Sequence, residues 1–462
     1  MSIKTRTGRV CRPVHLSIRS AFLATAIAFT VLPTAAHAES RPALSEAEVR
    51  VALQDEGGKK DVRAFYKARD YRPLWVSGTV LRPEANRLLQ LIESADLDGL
   101  NPRDYDPKDL AQAMIEARSG SAEKLAEAEM KLSRALADYA RDVARPGKVD
   151  MLYVDKELAP KPLDRKAVLD AAAAAPSLKA FLDSYGWMNP AYGKLRTAFQ
   201  ANIATLAEQQ RQTLRLNLER LRALPANPGK RYVLVDAAAA RLWLYDNDRP
   251  IDSMKVIVGK EAQQTPMMAG FIRYAMVNPY WNVPPDLVAE RIAPNVLDQG
   301  LSYLDEKGYQ ILSDWSDTAV PLDPALLDWR AIAAGRQQVR VRQLPGPANA
   351  MGRMKFMFPN PLGVYLHDTP DKSLFNGGDR RHSAGCVRVE DAPRLARWLF
   401  GKPVRAPSTA PEQQVNLPSP VPVYITYLTA APEGNRIAFR EDIYHRDGIS
   451  FAAASGRSSA GR

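Results

Sequence analysis

The chain has 462 residues, 46% hydrophobic and 25% charged, a length too great for one ordinary core, so two or more folded units are expected. The formal charge is +11, yet no run of Lys and Arg interleaved with aromatics sits on one element, so the basic balance does not point to nucleic acid. Residues 1–38 read as a secretory signal peptide. Lys4, Arg6, Arg9, Arg12 and Arg19 precede an apolar stretch over 21–32, and Pro33 leads to a small-x-small site at Ala36-His37-Ala38. An uncleaved anchor is the rival reading, but the stretch is Ala- and Thr-rich and broken by Pro33, which makes it a poor span. Cleavage removes five bases and no acid, so the charge falls to +6, which suits an anionic surface.

Residues 39–200 read as helical. Ala85, Leu88, Leu89, Ile92 and Ala95 share a helical face over 81–95, and DLDGLNPRDY at 96–105 ends it. A second stripe, Leu125, Ala128, Leu132, Leu136 and Tyr139, runs through 122–144 and stops at Pro146-Gly147. The alanine run at 171–175 has the best helix propensity and stops at Pro176. Residues 201–230 hold an amphipathic helix over 206–224 and a linker, PANPGK. From 231 the period changes: 232–236 and 241–245 read as a hairpin, with strands over 254–258, 273–278, 361–367 and 421–428. Residues from about 284 to 349 interrupt this β-rich segment with mixed, Pro- and Asp-rich sequence, more in keeping with a lid than with a connector. The tail, 450–462, is Ser-, Gly- and Ala-rich and reads as disordered.

Two segments carry chemistry. The chain has two cysteines, and only Cys386 survives removal of 1–38; a lone thiol in an oxidising compartment has no internal disulfide partner. A buried, inert Cys is the bland reading. Its context is RRHSAGCVRVE at 380–390, where Gly385 permits a tight turn and frees amides beside the sulfur. A helix over 391–400 follows, and a helix N-terminus beside the sulfur would favour the thiolate, as would an imidazole. In NPLGVYLHDTP at 360–370, strand alternation sends Val364 and Leu366 to a core and Tyr365 and His367 to a cleft. His382 follows a Gly- and Arg-rich loop with nothing to orient it, so His367 is the candidate base. One Cys and three scattered His (His367, His382, His445) have no ligand spacing, so no metal or other cofactor is expected.

His367 and, 19 residues on, Ser383-Ala384-Gly385-Cys386-Val387-Arg388 resemble the H…SxGCxR signature of the YkuD-type L,D-transpeptidase catalytic domain. Gly259-Lys260 with Thr265-Pro266 is similar to that family's GK…TP element. Tyr280–Pro285, Pro422–Tyr427, Asp442–Tyr444 and the N-terminal Gly99–Pro102 with Tyr105 resemble its large periplasmic branch, which includes YcbB. Ala384 stands where many members carry His, and 192–224 has no room for the peptidoglycan-binding module usual in that branch. The resemblance implies an α+β chain: a helical scaffold domain (39–200), a helix and linker (201–230), and a β-rich catalytic domain (231–449) with an inserted lid. It also implies a periplasmic enzyme of cell-wall biogenesis. Cys386 would attack the diaminopimelate carbonyl of a tetrapeptide stem, expel D-Ala and form a thioester, which a second stem's amine resolves into a 3→3 cross-link. His367 would be the base, a carbonyl near Asp368 its orienter, and amides of Gly385 and Cys386 with the Tyr365 hydroxyl the oxyanion site. Ser383 belongs to the same loop. Arg388 would bind a substrate carboxylate or hold the loop in a salt bridge. Such an enzyme is a carbapenem target. The acceptor stays open between a second stem, a free D-amino acid and an outer-membrane protein, and so do oligomeric state and partners. Two other readings compete: a Cys/His amidase or L,D-carboxypeptidase that passes the acyl group to water, and a non-enzymatic wall-binding scaffold.

Overall fold

The computed structural model describes residues 44–448, apart from Lys148 and Asn435. The expected signal peptide and the tail from 450 lie outside the described residues. Among the described residues no helix is long and apolar enough to cross a membrane.

The N-terminal half is helical because its helices are both capped and amphipathic. Ser45 forms a capping box with Glu48, and Ser121, Asp164 and Ser177 each cap a following helix through the side chain. The longest helix, Ala122–Val143, carries Leu125, Ala128, Leu132, Leu136 and Tyr139 into the core along one stripe. Fully burying each such leucine stabilises the fold by about 1.5–3 kcal/mol. The helix expected over 81–95 is shorter, Glu84–Glu93, because Ser94 breaks it into a 3-10 turn ended by Gly99 at φ 71°. Two helices, Pro190–Asn202 and Glu208–Arg222, fill the space before the linker.

The C-terminal half is built on a closed circuit of eight strands. In order around it come Met354–Met357, Leu366–His367, Val387–Val389, Arg249–Gly259, Arg241–Asp246, Arg231–Asp236, Gln413–Thr426 and Met267–Val277. The last pairs back onto the first, Met354 opposite Val277. Most pairs are antiparallel. Two are parallel: Val423 opposite Val233, and Leu366 opposite Val387. Alternation sends Val233, Val235, Leu242 and Leu244 into one core with the Ala392–Phe400 helix. It sends Tyr232, Leu234 and Tyr424 outward into the core of the helical half. The strand expected over 421–428 begins earlier, at Gln413. Pro418 and Pro420, which argue against a strand, fall in a register break between Asn416 and Val421 that takes them out of the ladder.

The two halves share structure. Met151–Tyr153, from the helical half, pairs in parallel with Met267–Ala269. Beyond it the Asp155 carboxylate accepts the Phe271 amide at 2.7 Å and pairs with Arg273.

The segment at 284–349 folds as a small subdomain. Trp281–Val283 and Tyr309–Leu312 flank Arg340–Gln343 in a three-stranded sheet, and its own core gathers Leu287, Val288, Ile292, Ile311, Trp329 and Val341.

Candidate active site

Cys386 ends a turn between the short strands Arg381–Ser383 and Val387–Val389. Gly385 has φ 105°, a conformation that L side chains rarely adopt. Buried Ser383 closes the turn: its hydroxyl donates to the Cys386 carbonyl at 2.5 Å and accepts the Gly385 amide at 3.2 Å. The GK…TP element buttresses it from outside. The Thr265 hydroxyl donates to the Gly385 carbonyl at 2.8 Å and accepts the Gly259 amide at 2.9 Å, while the Lys260 amide donates to the Ser383 carbonyl at 2.9 Å. A Cβ on Gly259 would stand 2.0 Å from the Gln263 carbonyl, so this close fold needs glycine. The Tyr444 hydroxyl donates to the Gly259 carbonyl at 2.7 Å and completes the support.

The expectation that the Gly385 amide serves the oxyanion does not hold. The Gly385 amide is committed to Ser383 and is not free for an oxyanion. Among the described residues the Cys386 amide has no such partner. A second correction concerns the helix after the site. It runs Ala392–Phe400, with the Val387–Val389 strand between it and the sulfur, and the Asp391 side chain caps its first turn. The helix dipole, which falls off within a turn, therefore does not act on the thiol.

His367 reaches the site through the sheet. The parallel register sets Leu366 opposite Val387 and His367 opposite Arg388, so Tyr365, His367, Cys386 and Arg388 share one face. The strand itself is only Leu366–His367, shorter than the expected 361–367. Asn360 folds the preceding residues into a turn, accepting the Leu362 amide at 3.1 Å and the Val364 amide at 3.2 Å, and Gly363 sits at φ 61°. The alternation still holds: Val364 and Leu366 lie in the core and Tyr365 is half-buried. His367, expected at a cleft, is itself only 2% exposed.

His367 Nδ1 lies 2.6 Å from the Asp368 carbonyl. A carbonyl only accepts, so Nδ1 carries the proton and Nε2 is left as the free acceptor. Burial and then the Arg388 charge push the imidazole down to about 3, so it is neutral near pH 7. Asp368 works through its carbonyl; its carboxylate accepts the Arg353 amide at 2.9 Å and pairs with Lys372 at 2.7 Å. Gly352 makes room for it, since a Cβ there would stand 2.5 Å from Asp368 Oδ2.

Cys386 is half-buried, and burial raises its thiol, against a backbone hydrogen bond from Tyr365 and the Arg388 charge. The thiol donates to the Gly363 carbonyl at 3.5 Å, and among the described residues no hydrogen bond joins it to His367. The resting pair is therefore a neutral thiol and a neutral imidazole, not the thiolate that a helix N-terminus and an imidazole were expected to favour. Burial and the nearby sulfur raise the Tyr365 phenol, which keeps it a donor.

Arg388 has no salt bridge among the described residues, and its buried Nε lacks any partner. Burial and then the Arg291 charge depress it. Arg291 lies on the π-helical turn Val288–Ile292 of the inserted subdomain. That turn is held near the site by Gln263 donating to Asp286 at 3.1 Å and by a Lys260–Glu290 pair at 3.8 Å. Sequence reading missed Arg291, which has no local signal and is brought in by the fold. It also missed the roles of Thr265 and Tyr444. His382 is exposed, with Nε2 3.1 Å from the Asp379 carbonyl, and takes no part in this face. Among the described residues no group of three or more His, Cys, Asp or Glu is gathered as metal ligands.

Residues 60–199 match the Scaffold domain, and residues 230–415 match the family described as the L,D-transpeptidase catalytic domain, YkuD. The chain carries an L,D-transpeptidase catalytic domain. It is 29% identical over 403 residues to a Haemophilus influenzae protein described as "Putative L,D-transpeptidase", over 83% of this chain and 77% of that one. Among solved structures it is similar to an L,D-transpeptidase from Mycobacterium smegmatis, at 12% identity and a TM-score of 0.20, over 42% of this chain and 58% of that one. It is also similar to the catalytic domain of the E. faecium L,D-transpeptidase, at 15% identity and a TM-score of 0.19, over 43% of this chain and 99% of that one. Scores this low add nothing to the family match. The α+β architecture, a helical scaffold domain followed by a β-rich YkuD domain, stands as expected.

Proposed function

We propose that this L,D-transpeptidase domain joins peptidoglycan stem peptides by 3→3 cross-links through a thioester on Cys386, in the periplasm after removal of the N-terminal signal. The observation that carries the reading is the parallel pairing of Leu366–His367 with Val387–Val389. It sets a tautomer-fixed imidazole and a thiol on one face, beside an unpaired guanidinium.

The chemistry follows from the protonation states. A rotation of the Cys386 side chain away from Gly363 brings the thiol to Nε2 of neutral His367. As sulfur attacks the diaminopimelate carbonyl, Nε2 takes the thiol proton. The imidazolium formed is stabilised by the Asp368 carbonyl at Nδ1. The oxyanion is met by the Cys386 amide and the Tyr365 hydroxyl. The C–N bond then breaks, D-Ala leaves with the proton from Nε2, and the thioester remains. A stem-peptide amine attacks the thioester, His367 takes its proton, and the thiol is restored. Arg388 holds a substrate carboxylate, as a fixed bidentate donor would. The subdomain at 284–349 covers the acyl-enzyme and favours amine over water.

Mass spectrometry of the enzyme with a tetrapeptide muropeptide tests this. The expected products are a cross-linked dimer and free D-Ala, with a thioester adduct on Cys386. Free tripeptide without dimer would make the enzyme a hydrolase instead. Deleting the central part of 284–349 should raise the tripeptide-to-dimer ratio; an unchanged ratio would reject the lid.

A further inference from the structure

Away from Cys386, a cavity of about 560 Å³ opens at the seam between the helical half and the outer face of the strand circuit. That volume falls within the range of about 300–1,000 Å³ usual for small-ligand sites. Its floor is aromatic. Tyr232 and Tyr245 are cross-strand partners and stack with centroids 4.5 Å apart and planes 7° apart. Tyr424, on the next strand, meets Tyr232 edge to face at 6.0 Å. Trp243 is on the same face as Tyr245, two residues along the strand, and is half-buried. It belongs to neither the helical core nor the core inside the strand circuit.

The rim is polar and unspent. Lys194, Asp248 and Glu433 line it, all exposed, and among the described residues none has an ion pair or a side-chain hydrogen bond. The Tyr232 and Tyr245 hydroxyls and the Trp243 indole N–H likewise have no protein partner among the described residues. Arg440, by contrast, is already paired with buried Asp236 at 2.7 Å.

Flat apolar faces ringed by unpaired donors and acceptors fit one class of ligand well. A pyranose ring presents C–H groups on its faces and hydroxyl or acetamido groups at its edge. Stacking the faces on aromatics removes apolar surface from water, and the edge groups need polar partners to be buried without cost. A lipid chain would leave the rim groups unmatched, and a polyanion would meet two carboxylates. We propose that this cavity is a saccharide-binding site, with half-buried Trp243 and Tyr245 as the stacking platform, buried Tyr232 as the ring that backs Tyr245, and Lys194, Asp248 and Glu433 as edge partners. Resting on the function proposed above, the natural occupant is the N-acetylated glycan strand that bears the stem peptides. The site would then hold the enzyme on its polymer.

The test is calorimetric titration of the full mature chain with chitotetraose, a soluble β-1,4-linked N-acetylglucosamine tetramer. Saturable binding is expected. Trp243→Ala should weaken it by about tenfold or more, and Trp243→Tyr, which keeps a flat face, should restore most of it. Both variants should take up a carbapenem on Cys386 at the wild-type rate, which also reports that they are folded. Absence of binding by the wild type, or equal binding by Trp243→Ala, overturns the proposal. Binding of a proline-rich peptide but not the saccharide overturns it too. If the carbapenem adduct fails to form in the wild type while chitotetraose binds at Trp243, the catalytic reading fails and this one stands.

Discussion

The helical half and the candidate active site each bury a guanidinium near other ionisable groups, and they treat it in opposite ways. In the helical half, Asp98 is fully enclosed and fully partnered. It accepts from Tyr139 at 2.8 Å, Tyr192 at 2.8 Å and Arg196 Nε at 2.9 Å, while Arg196 also reaches the Ser94 carbonyl at 2.7 Å. At the site, Arg388 is subject to the charge of Arg291 and leaves its Nε without a partner, and His367 leaves one nitrogen free. A buried polar group left unpaired costs on the order of 1–3 kcal/mol, so the fold gains nothing from that arrangement. The Asp98 carboxylate gives the helical half a neutralising partner for its guanidinium, and Arg388 has no carboxylate partner among the described residues.

The largest expected effect is total. Cys386→Ala should abolish both cross-linking and the mass increase of one carbapenem molecule, with the melting temperature unchanged; an adduct that persists would move the nucleophile elsewhere. Next comes the base. His367→Ala should lower the acylation rate by about 10²–10⁴-fold, the usual contribution of a positioned base. His382→Ala should keep at least about a tenth of the rate, a barrier change of about 1.4 kcal/mol or less. The reverse pattern would name the wrong histidine. On the other side of the comparison, Asp98→Ala strands Arg196, whose side chain is 0% exposed. Urea unfolding should show a loss of about 3–5 kcal/mol, the usual cost of breaking a buried pair. Acylation per folded molecule should not change.

A dependence on pH also separates the two regions. The His367 imidazole is lowered from 6.5 to about 3, by burial first and the Arg388 charge second. The unfolded chain therefore binds a proton in that window that the folded chain refuses. This contribution to stability is fully present above pH 6.5 and is lost as the pH falls toward 3. Relative to His367→Gln, the wild type should lose stability across that interval, and its acylation rate should show no imidazole limb between pH 6 and 7. A limb there would mean a solvated imidazole.

Much of this was legible in the sequence, for reasons that differ by element. The hairpin at 231–246 was readable because its alternation is local and its strands are adjacent. The Cys386 turn was readable because glycine at a positive φ leaves a mark in the sequence. His367 was placed on the right face by alternation alone, although only two residues form strand, because Asn360 and Gly363 turn the chain just before them. What escaped was non-local. Closure of the circuit joins Met267–Val277 to strands more than 75 residues away in sequence, and no window contains both. The Arg291 charge acts on Arg388 only because the inserted subdomain folds back. The helix-dipole expectation does not hold because proximity in sequence is not proximity in space: the extended strand Val387–Val389 lies between the sulfur and the helix start.

The strand Met151–Tyr153 gives the molecule a property that neither half has by itself. It lies along Met267–Ala269 on an edge of the sheet, so the helical half acts as a dust cover over backbone donors that would otherwise be open. A fragment that begins at the linker would be born with that edge bare, and bare edges recruit other chains. A nick in the connection between the halves should therefore leave two pieces that travel together, like a clasp cut at its hinge but still fastened at its hook.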